Sequence, residues 1–166
     1  MAAIAFLDLE ASGLGAGSWP IEVGWCFEQG APETLLIAPD ASWSDAAWDP
    51  QAEALHGLTL EKLRAKGASP EAVCKRINAA IGDALVYSDA PDWDGFWLYR
   101  LFGSAKVRQR FNLLDFSDLL TACPADQINA ARAKADALAP HQHRAAADVR
   151  HMRMIYRLLT GGGAAD

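Results

Sequence analysis

Five residues in three segments have the types and spacing that metal-assisted or acid–base chemistry needs. Asp8 and Glu10 stand two residues apart at the end of the apolar segment Ala3 to Leu9. On a strand that spacing turns both carboxylates to the same face. Two like charges so close on an apolar strand are costly unless something positive lies between them. Mg²⁺ takes oxygen ligands and is commonly held by one or two carboxylates, so a divalent cation suits the pair. Two solvated acids at a strand end are the plainer alternative. Asp94 follows the segment Ala84-Leu-Val-Tyr87 and the turn Ser88 to Asp92, and it opens a helix containing Phe96-Trp97-Leu98. The helix dipole favours an acid there, a role that Asp92 fills equally well. The third segment is His143-Arg-Ala-Ala-Ala-Asp148, after the breaker Pro140. Five helical steps of ~100° would leave its ends ~140° apart. A cooperating pair therefore needs His143 on the loop or first turn and Asp148 inside the helix. The alternative for His143 is an exposed polar residue, and His141 beside it reads the same way.

These residues need a scaffold, and the sequence pattern outlines one. Ala3 to Leu9 reads as a first strand, followed by a turn-rich break, Ala11 to Gly17. Ile21 to Glu28 alternates and suits a second strand; Glu33 to Ala38 suits a third, which makes an antiparallel meander. Asp49-Pro50 and Thr59 open two short helices, Pro50 to Leu55 and Thr59 to Lys66, around His56-Gly57. Ser69-Pro70 caps a helix to about Ile81 with Val73, Ile77 and Ile81 on one face. Strands at Ala84 to Tyr87 and Phe111 to Leu114 alternate with helices at Trp93 to Phe102, Phe116 to Thr121 and Ala130 to Leu138. A long last helix runs from His143 to Leu159, with Val149, Met152, Ile155, Tyr156 and Leu159 facing inward. This order predicts an α/β fold, a mixed sheet with helices packed on it.

The chain has 166 residues, 51% of them hydrophobic and 22% charged. That length suits one domain, over residues 1–160, with a Gly-rich tail at 161–166. No apolar run reaches the ~18 residues of a membrane span. The first eight residues carry no basic stretch, so no signal peptide is expected. Cys26, Cys74 and Cys123 form neither a disulfide framework nor a metal motif, which predicts free thiols in a reducing cytoplasm. A formal charge of −6 excludes a protein that coats nucleic acid by bulk charge.

Phe6-Leu-Asp8-Leu-Glu10-Ala-Ser-Gly-Leu14, Trp93-Asp94-Gly-Phe-Trp-Leu98 and His143-Arg-Ala-Ala-Ala-Asp148 together resemble the three motifs of the DEDDh (DnaQ-like) 3′–5′ exonucleases. Glu53-Ala-Leu-His56-Gly-Leu-Thr-Leu-Glu61 looks like that family's His-Gly-Ile-Thr segment, and the resemblance spans residues 4 to 159. It implies a ribonuclease-H-like fold with a central mixed five-stranded sheet flanked by helices. It also implies two divalent cations, Mg²⁺ or Mn²⁺, held by Asp8, Glu10, Asp94 and Asp148, with His143 as general base. Such ions sit roughly 3.5–4 Å apart and clamp the attacking and leaving oxygens of an in-line displacement. Ala11, Ser12, Gly13, Leu14 and His56 would line the site of the 3′-terminal nucleotide. Trp93, Phe96 and Trp97 read as core, whereas Trp19, Trp43 and Trp48 lie in loop-like stretches open to base stacking.

Two departures bear on the substrate. The family commonly carries His-Asn a few residues before the second-motif aspartate, where this chain has Ser88-Asp89-Ala90, and Ala11 stands where Thr or Ser is usual. The expected partner is the 3′ end of single-stranded DNA or RNA, with a second copy or a polymerase left open. A ribonuclease-H-type endonuclease and a non-cleaving module of the same fold are the competing readings. Two bound ions would bring the formal −6 to about −2. Local basic runs remain at Arg100, Lys106, Arg108 and Arg110, and at Arg144, Arg150, Arg153 and Arg157.

Overall fold

A computed structural model describes residues 2–161. The expected tail, apart from Gly161, lies outside them. β1 (Ile4–Ala11), β2 (Pro20–Phe27) and β3 (Glu33–Leu36) form the antiparallel meander. After it come α1 (Pro50–His56), α2 (Leu60–Lys66) and α3 (Pro70–Ile81), then β4 (Leu85–Ser88), α4 (Pro91–Ala105) and β5 (Leu113–Asp115). The chain closes with α5 (Phe116–Leu120), α6 (Ala125–Leu138) and α7 (Ala145–Thr160). The sheet order is β3-β2-β1-β4-β5, with β4 parallel to β1 and β5 parallel to β4. This is the mixed five-stranded sheet flanked by helices that the sequence predicts.

Alternation along β1 divides the interior into two cores. Leu7, Leu9 and Ala11 face a core with Val23, Trp25, Val73, Ile77, Leu98 and Leu101, under α3 and α4. Phe6 faces a second core with Cys26, Tyr87, Val149, Met152 and Ile155, under α7. Asp8 and Glu10 share the parity of Phe6. The apolar α7 side of the central strand thus turns acidic toward its end.

Local signals act where expected. The Ser69 hydroxyl accepts from Ala72 N at 3.3 Å, Asp49 accepts from Gln51 N at 2.8 Å, and α1 ends at Gly57 with φ +67. Several boundaries differ from the sequence pattern. α4 starts two residues earlier, at Pro91, because proline suits the first helical turn. α6 starts at Ala125, where Pro124 sets the N-cap. α7 starts at Ala145, not His143, because His143 has φ +51, outside the right-handed helical region.

One glycine decides how closely α7 approaches the sheet. Gly24 pairs with Asp8 across β1 and β2, and a Cβ there would lie 2.8 Å from both the carbonyl carbon and Cβ of Ala145. Only hydrogen at this position lets the first turn of α7 rest on β2. Gly24→Ala should therefore destabilise the chain by about 1–3 kcal/mol through overpacking. Thermal or urea unfolding followed by circular dichroism measures it.

Candidate active site

β1 and β4 run parallel, so their carboxyl ends open on the same edge of the sheet. Ligands of open α/β sheets bind at such an edge. Asp8 and Glu10 come from the end of β1, Ser88 and Asp89 from the end of β4, Asp94 from the first turn of α4, and Asp148 from the first turn of α7. Oxygens of Asp8, Glu10 and Asp148 lie within 4.8 Å of one another, as do oxygens of Asp8, Asp89 and Asp94. Asp8 belongs to both groups.

Asp8 is only 9% exposed, and its Oδ2 is buried without a hydrogen-bond partner. Burial, and then the charges of Asp94, Glu10, Asp148 and Asp89, hold its carboxyl well above the usual carboxylate range. Burial and the neighbouring Asp148, Glu22 and Asp94 push Glu10 up to about 8, against the opposing charge of Arg144. Asp94 accepts from Leu9 N at 3.3 Å and from the Ser88 hydroxyl. Those bonds only partly offset its burial, and it sits at about 7. Asp148 differs. Burial raises it, but donors from His141 (Nδ1, 3.1 Å) and Gln142 N (3.0 Å), with the charges of His141 and His143, bring it below its ordinary value. Crowded buried carboxylates around an unpartnered oxygen are a donor set for a hard divalent cation, which supplies the missing charge.

α7 reaches this position through a residue that the sequence pattern does not single out. Glu22 on β2 is buried, and its carboxylate accepts from Arg144 Nε at 2.9 Å, Arg144 Nη2 at 2.8 Å and Ala145 N at 3.2 Å. The amide bond caps the amino terminus of α7 with an anion, where the dipole favours one. The Arg144 contact is bidentate. Only its glutamate-for-hydrophobe placement in the run Ile21 to Phe27 hints at this role.

The histidines are arranged less simply than their spacing suggests. His143 lies on the loop before α7, as its pairing with Asp148 requires, and is exposed. Its charge bears on Asp148 and His56. The ring that touches Asp148 is that of His141, packed at a tilt on His151 with centroids 3.8 Å apart; His151 Nδ1 donates to Ala139 O at 2.8 Å. His56 is buried, with Nδ1 accepting from Leu58 N at 3.0 Å and Nε2 without a partner. Burial lowers its pKa. The neutral ring then carries its proton on Nε2.

Of Ala11, Ser12, Gly13 and Leu14, only Leu14 projects into solvent, at 67% exposure. Ala11 packs into the core. The Ser12 hydroxyl is buried and accepts from Trp19 N at 3.0 Å, and the backbone at Gly13 lies against Asp49, where a Cβ would come within 2.9 Å. The tryptophans correct the sequence expectation. Trp19 and Trp43 are buried and stacked at 5.6 Å with Trp48 tilted against Trp19, because the loops carrying them fold back onto the sheet. Trp93, assigned to the core, is 40% exposed and stacks at 5.5 Å on buried Trp97. The second basic run is likewise partly structural: Arg153 donates to Gly30 O and Arg157 to Glu28 O, tying α7 to the β2–β3 hairpin. Cys26, Cys74 and Cys123 are free, and no helix among the described residues is long and apolar enough to cross a membrane.

With this geometry the chain has the ribonuclease-H-like fold of exonuclease I. It matches the zinc-bound E. coli exonuclease I–single-stranded DNA complex over 98% of its length, with TM-score 0.73 and 18% identity. It matches another exonuclease I structure over 97%, with TM-score 0.75 and 19% identity, and the moderately thermophilic enzyme from Methylocaldum szegediense over 97%, with TM-score 0.71 and 19% identity. The chain spans 41% of each of those three chains. No protein-family model and no curated protein sequence matches it.

Raised carboxyl pKa values in the folded state have a definite sign. Glu10 and Asp94 stay protonated when folded up to about 8 and 7, but ionise when unfolded near 4.5 and 3.8. Their contribution favours the folded chain at low pH and is lost as pH rises through the folded values. Among the acids of the site, Asp148 alone acts oppositely. The EDTA-treated protein should therefore show a melting temperature that falls from about pH 4 to pH 8, and saturating Mn²⁺ should remove the fall at its upper end. Melting curves across that range, with and without Mn²⁺, test this.

Proposed function

We propose that this chain is a metal-dependent 3′–5′ exonuclease that hydrolyses phosphodiester bonds at the 3′ ends of single-stranded nucleic acid and releases nucleoside 5′-monophosphates. The convergence of Glu10, Asp94 and Asp148 on Asp8, whose Oδ2 is buried without a partner, carries this reading. The DNA complexes of the exonuclease I neighbours support a single-stranded substrate.

Asp8, Glu10, Asp94 and Asp148 would hold two divalent ions, Mg²⁺ or Mn²⁺. Bound there, such ions lower the pKa of a water nucleophile and neutralise charge on the scissile phosphate. Ser88 Oγ and Leu9 N orient Asp94 for this, and Gln142 N orients Asp148. His143 accepts the proton of the attacking water from its place on the loop before α7. His56 offers its unpartnered Nε2–H to the terminal nucleotide, and exposed Leu14 packs against the last base. Residues Ala11 to Gly13 contribute backbone to that pocket. The free thiols fit a reducing, cytoplasmic setting.

A 5′-labelled single strand incubated with the protein and Mn²⁺ should shorten to a ladder, while a circular strand stays intact. Asp8→Ala should abolish the shortening. Equal shortening by wild type and Asp8→Ala would refute the reading, and cleavage of the circle would make the enzyme an endonuclease.

The two loop histidines are separable. His143→Ala should lower turnover by about 10²–10⁴-fold and leave Mn²⁺ binding intact. His141→Ala should retain most turnover. Single-turnover kinetics on a short oligonucleotide decide between them, and the reverse pattern would give the base role to His141.

A further inference from the structure

Four acids account for the proposed reaction, yet a fifth stands in the site. Asp89 follows β4 directly, in a turn fixed by the Ser88 hydroxyl, which accepts from Ala90 N at 3.0 Å while donating to Asp94. That turn presents Asp89 at the rim, exposed, with one oxygen within 4.8 Å of oxygens of both Asp8 and Asp94. Oxygens on an octahedral Mg²⁺, ~2.0–2.1 Å from the metal, lie up to ~4.2 Å apart across it. Adjacent oxygens on such an ion lie closer, ~2.9 Å apart, so side-chain rotation must draw the three carboxylates together around it. The neighbouring acid Asp92 is just as exposed but joins neither group of oxygens.

A cluster of acids alone would say little. The independent observation is Asp8 Oδ2, buried with no donor although Asp8 is the residue common to both groups. Every other oxygen in the site with a protein donor obtains it from the backbone, Ser88 or His141. A buried carboxylate oxygen with no donor costs free energy unless a cation reaches it.

We propose that Asp89 is a ligand of the second divalent cation, together with Asp8 and Asp94, so that protein carboxylates alone hold both ions before nucleic acid arrives. This rests on the metal-dependent reading above and adds to it a residue and an order of events. Mg²⁺ sites built from one or two carboxylates borrow further ligands from substrate phosphate or water. Three carboxylates reduce that need. Asp89 at the rim also gives a hydrated ion its first protein contact on the way to buried Asp94. Five carboxylates outweigh two divalent ions by one charge, so the loaded site still does not grip a phosphate by charge alone. Weak attraction of that kind suits an enzyme that must release each product.

The test is direct Mn²⁺ binding without nucleic acid, with free ion followed by electron paramagnetic resonance and heat by calorimetry. Wild type should bind two ions per chain. Asp89→Asn should weaken one of them about tenfold or more and leave the other unchanged. Asp92→Asn should match wild type. The exposed Asp89 side chain makes Asp89→Asn safe for folding, and its EDTA-treated melting temperature should equal or exceed that of wild type, because the Asp89 charge adds to the repulsion on Asp8 and Asp94. Two ions of unchanged affinity in Asp89→Asn would overturn the proposal, as would a wild type that binds only one. Equal weakening by Asp92→Asn would also overturn it by making the effect one of bulk charge. A wild type that binds no ion would instead sink the metal-dependent reading itself.

Discussion

The carboxylate of Glu22 holds the first turn of α7 against β2, and the geometry of the acidic cluster depends on that contact. Glu22 is 1% exposed, yet it caps the helix at Ala145 N and takes both arms of Arg144. A buried ion pair of this kind is a poor source of net stability, because desolvation offsets much of the attraction. Its service is positional. It fixes where α7 begins, and three residues into the helix Asp148 then faces Asp8 and Glu10. Without that anchor the start of α7, which carries Asp148, would lose its polar tie to β2.

The electrostatics divide the acids into two kinds. Asp8, Glu10 and Asp94 are held in their protonated range by burial and mutual repulsion, whereas Asp148 is kept ionised by His141 and Gln142. A site of this composition stores unfavourable free energy in the absence of cations, and the two apolar cores offset it. Phe6 under α7 and Leu7 and Leu9 under α3 and α4 fasten the acidic strand from both faces. A cation held there would relieve repulsion that folding has already imposed.

Much of this was legible in the sequence, and what was legible is local. The two-residue spacing of Asp8 and Glu10 puts them on one face, Ser69-Pro70 starts α3, and Val73, Ile77 and Ile81 bury as their period requires. The order of motifs also gave the fold, with the sheet and its flanking helices as expected. What escaped is non-local. Glu22 matters through a residue more than a hundred positions away. Trp19 and Trp43 looked available in loops because nothing in their neighbours shows those loops folding inward. His141 and His143 are alike in sequence, and only the three-dimensional structure shows the His141 ring on Asp148 and His143 on a left-handed backbone. Asp89 was visible as a departure, but its reach to Asp8 and Asp94 depends on a turn that only the three-dimensional structure displays.

The contact between Gly24 and Ala145 also shapes how such a chain can vary. A side chain at 24 must take space now filled by Ala145 backbone and Cβ. Shrinking residue 145 to glycine would free the Cβ but not the carbonyl carbon. Drift at one position therefore cannot simply be compensated at the other. The pair behaves as a steric lock in sequence space: in descendants that keep the acidic site, position 24 stays glycine, although it binds nothing and carries no charge.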